Sequence, residues 1–222
     1  MTYLLLVLAV LLSFIFVLLF KPKKQQGLRL LLAFSGAFLL ALTLFELLPT
    51  VYSTTETKTI GVFIMLGILL QVFLESFSKG AEHGHVHIDL NSKFPWLLFL
   101  SLSVHALFEG LPVAENNTIL YGILVHKIPI AIILGIFLIN SKIPLLHSFI
   151  FMLFFAFMTP IGTYLAINSD FIGKYHIPLT AIVIGVFLHI STVILFESSE
   201  GHKFTVQKLF VILLGVLIAY FL

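Results

Sequence analysis

Val104-His105-Ala106-Leu107-Phe108-Glu109-Gly110-Leu111-Pro112 and, a short turn later, Val125-His126-Lys127-Ile128-Pro129-Ile130-Ala131 decide how this chain is read. Both segments sit in long apolar stretches, Ser103 to Gly135 in all, yet they hold two imidazoles, a carboxylate and an ammonium. A charged group at the centre of a bilayer costs about 2.5–3.5 kcal/mol on insertion scales. Side chains of this kind in neighbouring segments need a reason, and a pathway for cations supplies one.

The rest of the chain is built for lipid. Of its 222 residues 60% are hydrophobic, only 10% are charged and 24 are Phe, which excludes a soluble core and marks an integral membrane protein. The formal charge of +2 is too small to define a partner, and no nucleic-acid partner is expected. Cysteine is absent, so disulfides and thiolate metal sites are excluded, and any metal must be held by nitrogen and oxygen. A helix needs roughly 20 apolar residues to span. By that measure there are eight candidates: Tyr3–Phe20, Leu28–Leu48, Ile60–Ser76, Pro95–Ala114, Thr118–Ile139, Ile143–Ile167, Ile177–Glu197 and Thr205–Leu222. The longest connection is the loop 77–94, so residues 1–222 read as one all-α integral membrane domain. Met1 to Phe20 has neither a basic start nor a small-residue cleavage site and reads as a span rather than a cleaved leader.

Basic residues orient the spans. With the N-terminus outside, Lys21, Lys23, Lys24, Arg29, Lys79, Lys93, Lys142, Lys203 and Lys208 all face the cytoplasm, and only Lys58 and Lys174 lie outside. A multi-pass protein of the cell membrane with both termini extracytoplasmic is expected. A faint internal repeat adds to this: Gly36-Ala37-Phe38-Leu39 in the second span matches Gly185-Val186-Phe187-Leu188 in the seventh, each followed by a Thr (Thr43, Thr192) at the same offset. Those spans run in opposite directions, as in transporters built from inverted repeats around a midplane site.

His105 and Glu109 are one helical turn apart and share a face. An imidazole and a carboxylate so placed suit a divalent transition metal such as zinc. The short connection Glu115-Asn116-Asn117 lets His126 approach from the facing helix. Pro112 cannot donate to the carbonyl of Phe108, nor Pro129 to that of Val125, which leaves carbonyls beside the proposed ligands. The competing reading is a buried Glu109–Lys127 ion pair with the two histidines as hydrogen-bonded packing residues. On the first reading Lys127 is a tethered cation that balances the site without binding metal.

At these residues the chain resembles the ZIP (Zrt/Irt-like) family of divalent metal transporters. His105-Ala106-Leu107-Phe108-Glu109-Gly110 is similar to the family's H-[SN]-x-x-[DE]-G motif, and His126-Lys127 to the branch that carries H-K in place of H-E-x-x-H. Ser35-Gly36-Ala37-Phe38-Leu39 through Leu47-Leu48-Pro49, and Thr159-Pro160-Ile161-Gly162, are similar to further family stretches. The resemblance implies inward movement of zinc or another divalent cation as substrate, a transport site between the fourth and fifth spans, and a 3+2+3 arrangement whose outer triplets are inversely related. The chain departs from the pattern at Ala106, where a weak ligand is usual, and at Glu46, where a His is frequent. Lys127 and Ile130 stand where a two-metal member has carboxylate or His. A mononuclear site is therefore expected.

Flanking groups extend the route. Glu46 is expected at the entrance, and His189 as a relay ligand inside the seventh span. Glu75, Glu197, Glu200 and His202 fall at the cytoplasmic ends of spans. The alternating His83, His85 and His87 of the 77–94 loop read as a metal-binding tract on that side. The ligand types lean towards zinc but leave iron, manganese and cadmium open, and a homodimer is one arrangement that glycine-bearing span faces allow. The alternative from another class is a polytopic intramembrane zinc hydrolase, which needs a further firm ligand and a general base; no H-E-x-x-H is present.

Overall fold

Lipid offers a backbone no hydrogen-bond partner, so a chain this apolar must satisfy its own amides turn by turn. The computed structural model describes residues 2–22, 25–53, 56–78, 94–114, 117–197 and 205–222, and all the regular structure among them is helical. In order these are α1 (Thr2–Phe20), α2 (Gln25–Leu42), α3 (Thr57–Ser78), α4 (Trp96–Gly110), α5 (Asn117–Asn140), α6 (Leu145–Asn168), a single turn Asp170–Lys174, α7 (His176–Glu197) and α8 (Val206–Tyr220). Seven helices in the described residues are long and apolar enough to cross a membrane. The expected eighth span is the short one. With 15 residues it rises about 22 Å, against a hydrocarbon core of about 30 Å.

Prolines shape two of the long helices. Pro49 cannot donate to Phe45, and α2 widens just before it into a π-helical turn, Thr43–Leu47, then resumes as Leu48–Tyr52. Hydroxyls supply extra donors there: Thr43 Oγ1 donates to the Leu39 carbonyl at 2.7 Å and Thr50 Oγ1 to that of Glu46 at 2.7 Å. At the end of α4 the chain tightens instead, into the 3-10 turn Pro112–Ala114. The Phe108 carbonyl, expected to be free, accepts from the Leu111 N–H at 3.1 Å. Pro129 lies inside α5 without ending it.

Packing sorts the helices by burial. Some 61% and 67% of the spans containing α4 and α5 are buried, against 28% for those of α1 and α3, so the polar segments occupy the middle of the bundle. Leu4, Leu12 and Leu19 on α1, and Val62, Met65 and Phe73 on α3, turn outward. The closest neighbours are α3 with α7, α2 with α8, α4 with α6, and α1 with α5. Two of these pairs cross on glycine. A Cβ on Gly67 would run into the carbonyl oxygen of Ile182, and one on Gly185 into that of Ile64. Gly110 and Gly162 stand in the same relation, against the carbonyls of Thr159 and Leu107. Small residues let backbones approach where lipid provides no hydrophobic drive between helices. Across the second crossing, Thr159 Oγ1 donates to the Ala106 carbonyl at 2.8 Å and Thr163 Oγ1 to that of Gly110 at 2.8 Å. Ser101 Oγ ties α4 to α3 through the Leu74 carbonyl at 2.7 Å.

Gly185→Ala is expected to destabilise the bundle by about 1–3 kcal/mol, the usual range for overpacking. Gly61→Ala, where a Cβ meets nothing within 4 Å, leaves stability unchanged or slightly raised. Thermal unfolding of the two purified variants in one detergent distinguishes them.

Candidate metal centre

The buried face of α4 carries Leu98, Ser101, Leu102, His105, Ala106 and Glu109, the i, i+3, i+4 set that a helix presents to a core. His105 and Glu109 are one turn apart on it, with Nε2 to Oε1 at 3.0 Å. From α5, His126 and Lys127 both reach the same carboxylate. His126 Nε2 lies 3.8 Å from Oε1, and Lys127 Nζ lies 2.8 Å from Oε2. The two carboxylate oxygens are thus divided, one facing the imidazoles and the other the ammonium.

All of these side chains are sealed from solvent: His105 is 4% exposed, Glu109 1%, His126 2% and Lys127 1%. One ligand atom from each of His105, Glu109 and His126 can be chosen so that all lie within 4.8 Å of one another. The set is two imidazole nitrogens and a carboxylate oxygen, borderline-soft to hard donors that suit zinc and its neighbours. The imidazole rings stand at 74° with centroids 6.4 Å apart. Lys127 is held on its other side by Phe155, its Nζ 4.8 Å above the ring centroid. Both the convergence of the four residues and the ion pair of the competing reading are therefore present in one cluster.

Gln71 was not foreseen. It lies on α3, is 0% exposed, and its Oε1 stands 3.3 Å from Nδ1 of His105. The signal was available, since it is an amide inside an otherwise apolar span and one turn ahead of Glu75. Glu75 and His189, which the sequence left unconnected, are partners across α3 and α7, with Oε2 and Nε2 2.7 Å apart in a half-buried setting. Glu46 falls in the π-helical turn of α2 and is half-buried. Glu197 closes α7. Glu200, His202, His83, His85 and His87 lie outside the described residues.

A bundle of helices long and apolar enough to cross a membrane, with a buried cluster of nitrogen and oxygen groups that could hold a metal ion, defines a polytopic membrane protein with a candidate cation site. The ZIP Zinc transporter family model matches residues 86–222, which take in the site-bearing helices α4 and α5. The chain belongs to the ZIP zinc transporter family. It is 32% identical to Protein zntD of Dictyostelium discoideum over 162 residues, 62% of this chain and 24% of that protein. It is 39% identical over 93 residues to Zinc transporter ZIP1 of Takifugu rubripes, 38% of this chain and 31% of that protein, and likewise 39% identical over 93 residues to Zinc transporter ZIP1 of Danio rerio. The matched stretches span about a quarter to a third of these relatives. A family of transporters is not one of hydrolases, and the intramembrane hydrolase reading is set aside.

Removing Lys127 strands a buried carboxylate. Lys127→Met is expected to lower stability by about 3–5 kcal/mol, and Glu109→Gln added to it to recover most of that loss. Thermal unfolding of the single and double variants tests this; equal stability of Lys127→Met and wild type would remove the ion pair from the site.

Proposed function

We propose that the chain moves a divalent metal ion, zinc foremost, across the membrane into the cytoplasm through a site between α4 and α5. The observation that carries this reading is the convergence of His105, Glu109 and His126 inside the bundle of a ZIP-family chain. Imidazole and carboxylate favour zinc, and borderline ions such as iron, manganese and cadmium are its nearest competitors. The site takes one metal: Lys127 stands against the second carboxylate oxygen and supplies the positive charge that a neighbouring ion would bring.

The route continues from that site. Glu46 gathers ions at the outer face, and the Glu75–His189 pair receives them on the way to Glu197, Glu200 and His202. The loop histidines His83, His85 and His87 meet them at the cytoplasm. Direction follows from the inside-negative potential, which favours an entering charge by roughly 2.3 kcal/mol per 100 mV and a dication by twice that. The basic residues support termini on the extracytoplasmic side.

A 3+2+3 arrangement with inverted outer triplets is supported by the reciprocity of the packing. Exchanging α1 with α6, α2 with α7, α3 with α8 and α4 with α5 turns the α3–α7 pair into α8–α2, and the α1–α5 pair into α6–α4. The finer contacts agree. A Cβ on Gly215 of α8 meets the Phe34 carbonyl oxygen at 2.8 Å and the Ala37 Cβ at 3.3 Å, so Gly215 sits over Ala37 as Gly67 sits over Gly185.

Proteoliposomes holding a zinc-sensitive dye test the reading. Wild-type protein is expected to admit zinc faster under an inside-negative potential, and Glu109→Gln or His105→Ala to fall to the protein-free background. Normal uptake by both variants would end the proposal.

A further inference from the structure

The helix that carries Gln71 lies outside the stretch matched by the family model, and the amide has no part in the ligand set described above. It is nonetheless fully buried, with its oxygen on the far nitrogen of a proposed ligand. We propose that Gln71 is the positioning residue that fixes which nitrogen His105 offers to the transported ion, and that its neutral amide keeps the grip on that ion loose enough for release. The inference rests on the reading of His105, Glu109 and His126 as the cargo site.

Imidazole chemistry gives the first half. Nε2 of His105 faces Glu109 Oε1 at 3.0 Å, and Nδ1 faces Gln71 Oε1 at 3.3 Å. A carboxamide oxygen and a carboxylate oxygen can both only accept, so without an ion each contact is a hydrogen bond only when its own His105 nitrogen carries a proton. An ion taken up at Nε2 replaces the proton there, and the neutral ring then keeps its one proton on Nδ1, where Gln71 Oε1 accepts it. Partners on the non-ligating nitrogen commonly set the orientation and the basicity of a ligand histidine.

The seat of Gln71 is rigid. Its helix is fastened to α4 through Ser101 and the Leu74 carbonyl at 2.7 Å, and to α7 by the Gly67–Gly185 crossing. Packing alone does not account for the residue. Its Nε2 is buried with no hydrogen-bond acceptor among the described residues. An unmet buried donor is costly, and Leu or Met would fill the same space without that cost. A group kept against such a cost is there for its other end, the oxygen on His105.

The neutrality of the amide gives the second half. A carboxylate on Nδ1 would make Nε2 a stronger base and a tighter ligand. A carrier gains nothing from a site that does not let go, and an amide orients the ring without adding that charge.

The test is zinc uptake into proteoliposomes by wild type, Gln71→Leu, Gln71→Glu and Glu109→Gln. Gln71→Leu is expected to raise KM about 10- to 100-fold, the range for lost partners of ligand histidines, with kcat little changed. Gln71→Glu is expected to restore KM to the wild-type value or below while lowering kcat, because the ion leaves more slowly. Wild-type KM in Gln71→Leu, or the same KM in Leu and Glu variants, overturns the inference while leaving the site in place. Undiminished uptake by Glu109→Gln sinks the site itself, a separate result. Should Gln71→Leu fail to fold, the ¹⁵N histidine spectrum of zinc-loaded wild type decides, with the His105 signals identified by their loss in His105→Ala. A protonated Nδ1 on a metal-bound ring supports the inference, and a bare Nδ1 overturns it.

Discussion

A single carboxylate, Glu109, sets the terms for the centre of this bundle. Carried into lipid alone, it would cost several kcal/mol. Lys127 meets one of its oxygens at 2.8 Å, and the two imidazoles approach the other at 3.0 and 3.8 Å. This arrangement requires α5 to hold His126 and Lys127 at the depth of Glu109, so that their side chains reach across to α4. It also requires α6 close behind α4. Gly110, the residue after Glu109, is where α4 crosses α6 backbone to backbone, with Thr159 and Thr163 bonded to carbonyls on either side of the carboxylate. The electrostatic demand and a backbone-to-backbone crossing thus fall within one helical turn.

The other glycine crossing does for α3 and α7 what this one does for α4 and α6. It brings Gln71 and Glu75 to the side of α3 from which one reaches His105 and the other His189. Polar groups on three helices are thereby linked in two steps, Glu109 to Gln71 through His105, and Glu75 to His189 one turn further along. In a lipid-facing bundle most such groups need neighbours on adjacent helices, so helix spacing and polar content are one constraint. The sequence repeat paired Gly36 with Gly185, whereas the contacts pair Ala37 with Gly185. The small residue is needed one position later, where the partner's backbone comes closest.

What could be read from the chain alone follows from the size of each penalty. His105, Glu109, His126 and Lys127 stood out because ionisable groups in lipid are expensive, and their spacing on two adjacent spans placed them together. Gln71 carries no charge, so its presence in α3 raised no comparable alarm. Glu75 and His189 meet across 114 positions, a contact that only the α3–α7 crossing determines. The free carbonyl expected at Phe108 is absent for a local reason: a 3-10 turn ahead of Pro112 lets Leu111 take it. The last span was overestimated because Thr205–Leu222 is apolar to its end, while the helix itself stops at Tyr220.

Lys127 gives the site its character on the proposed reading. With neutral imidazoles, ammonium and carboxylate sum to zero, so a dication entering the cluster finds ligands but no net attracting charge. The Phe155 ring, 4.8 Å from Nζ, adds a contact that favours a cation at this place. A site with one carboxylate already neutralised holds a dication less firmly than one with two free carboxylates. For a resident structural metal that would be a defect. For an ion that must arrive from one side and depart to the other, moderate affinity in a dry pocket is the condition for turnover, and a tethered cation is a fixed way to impose it.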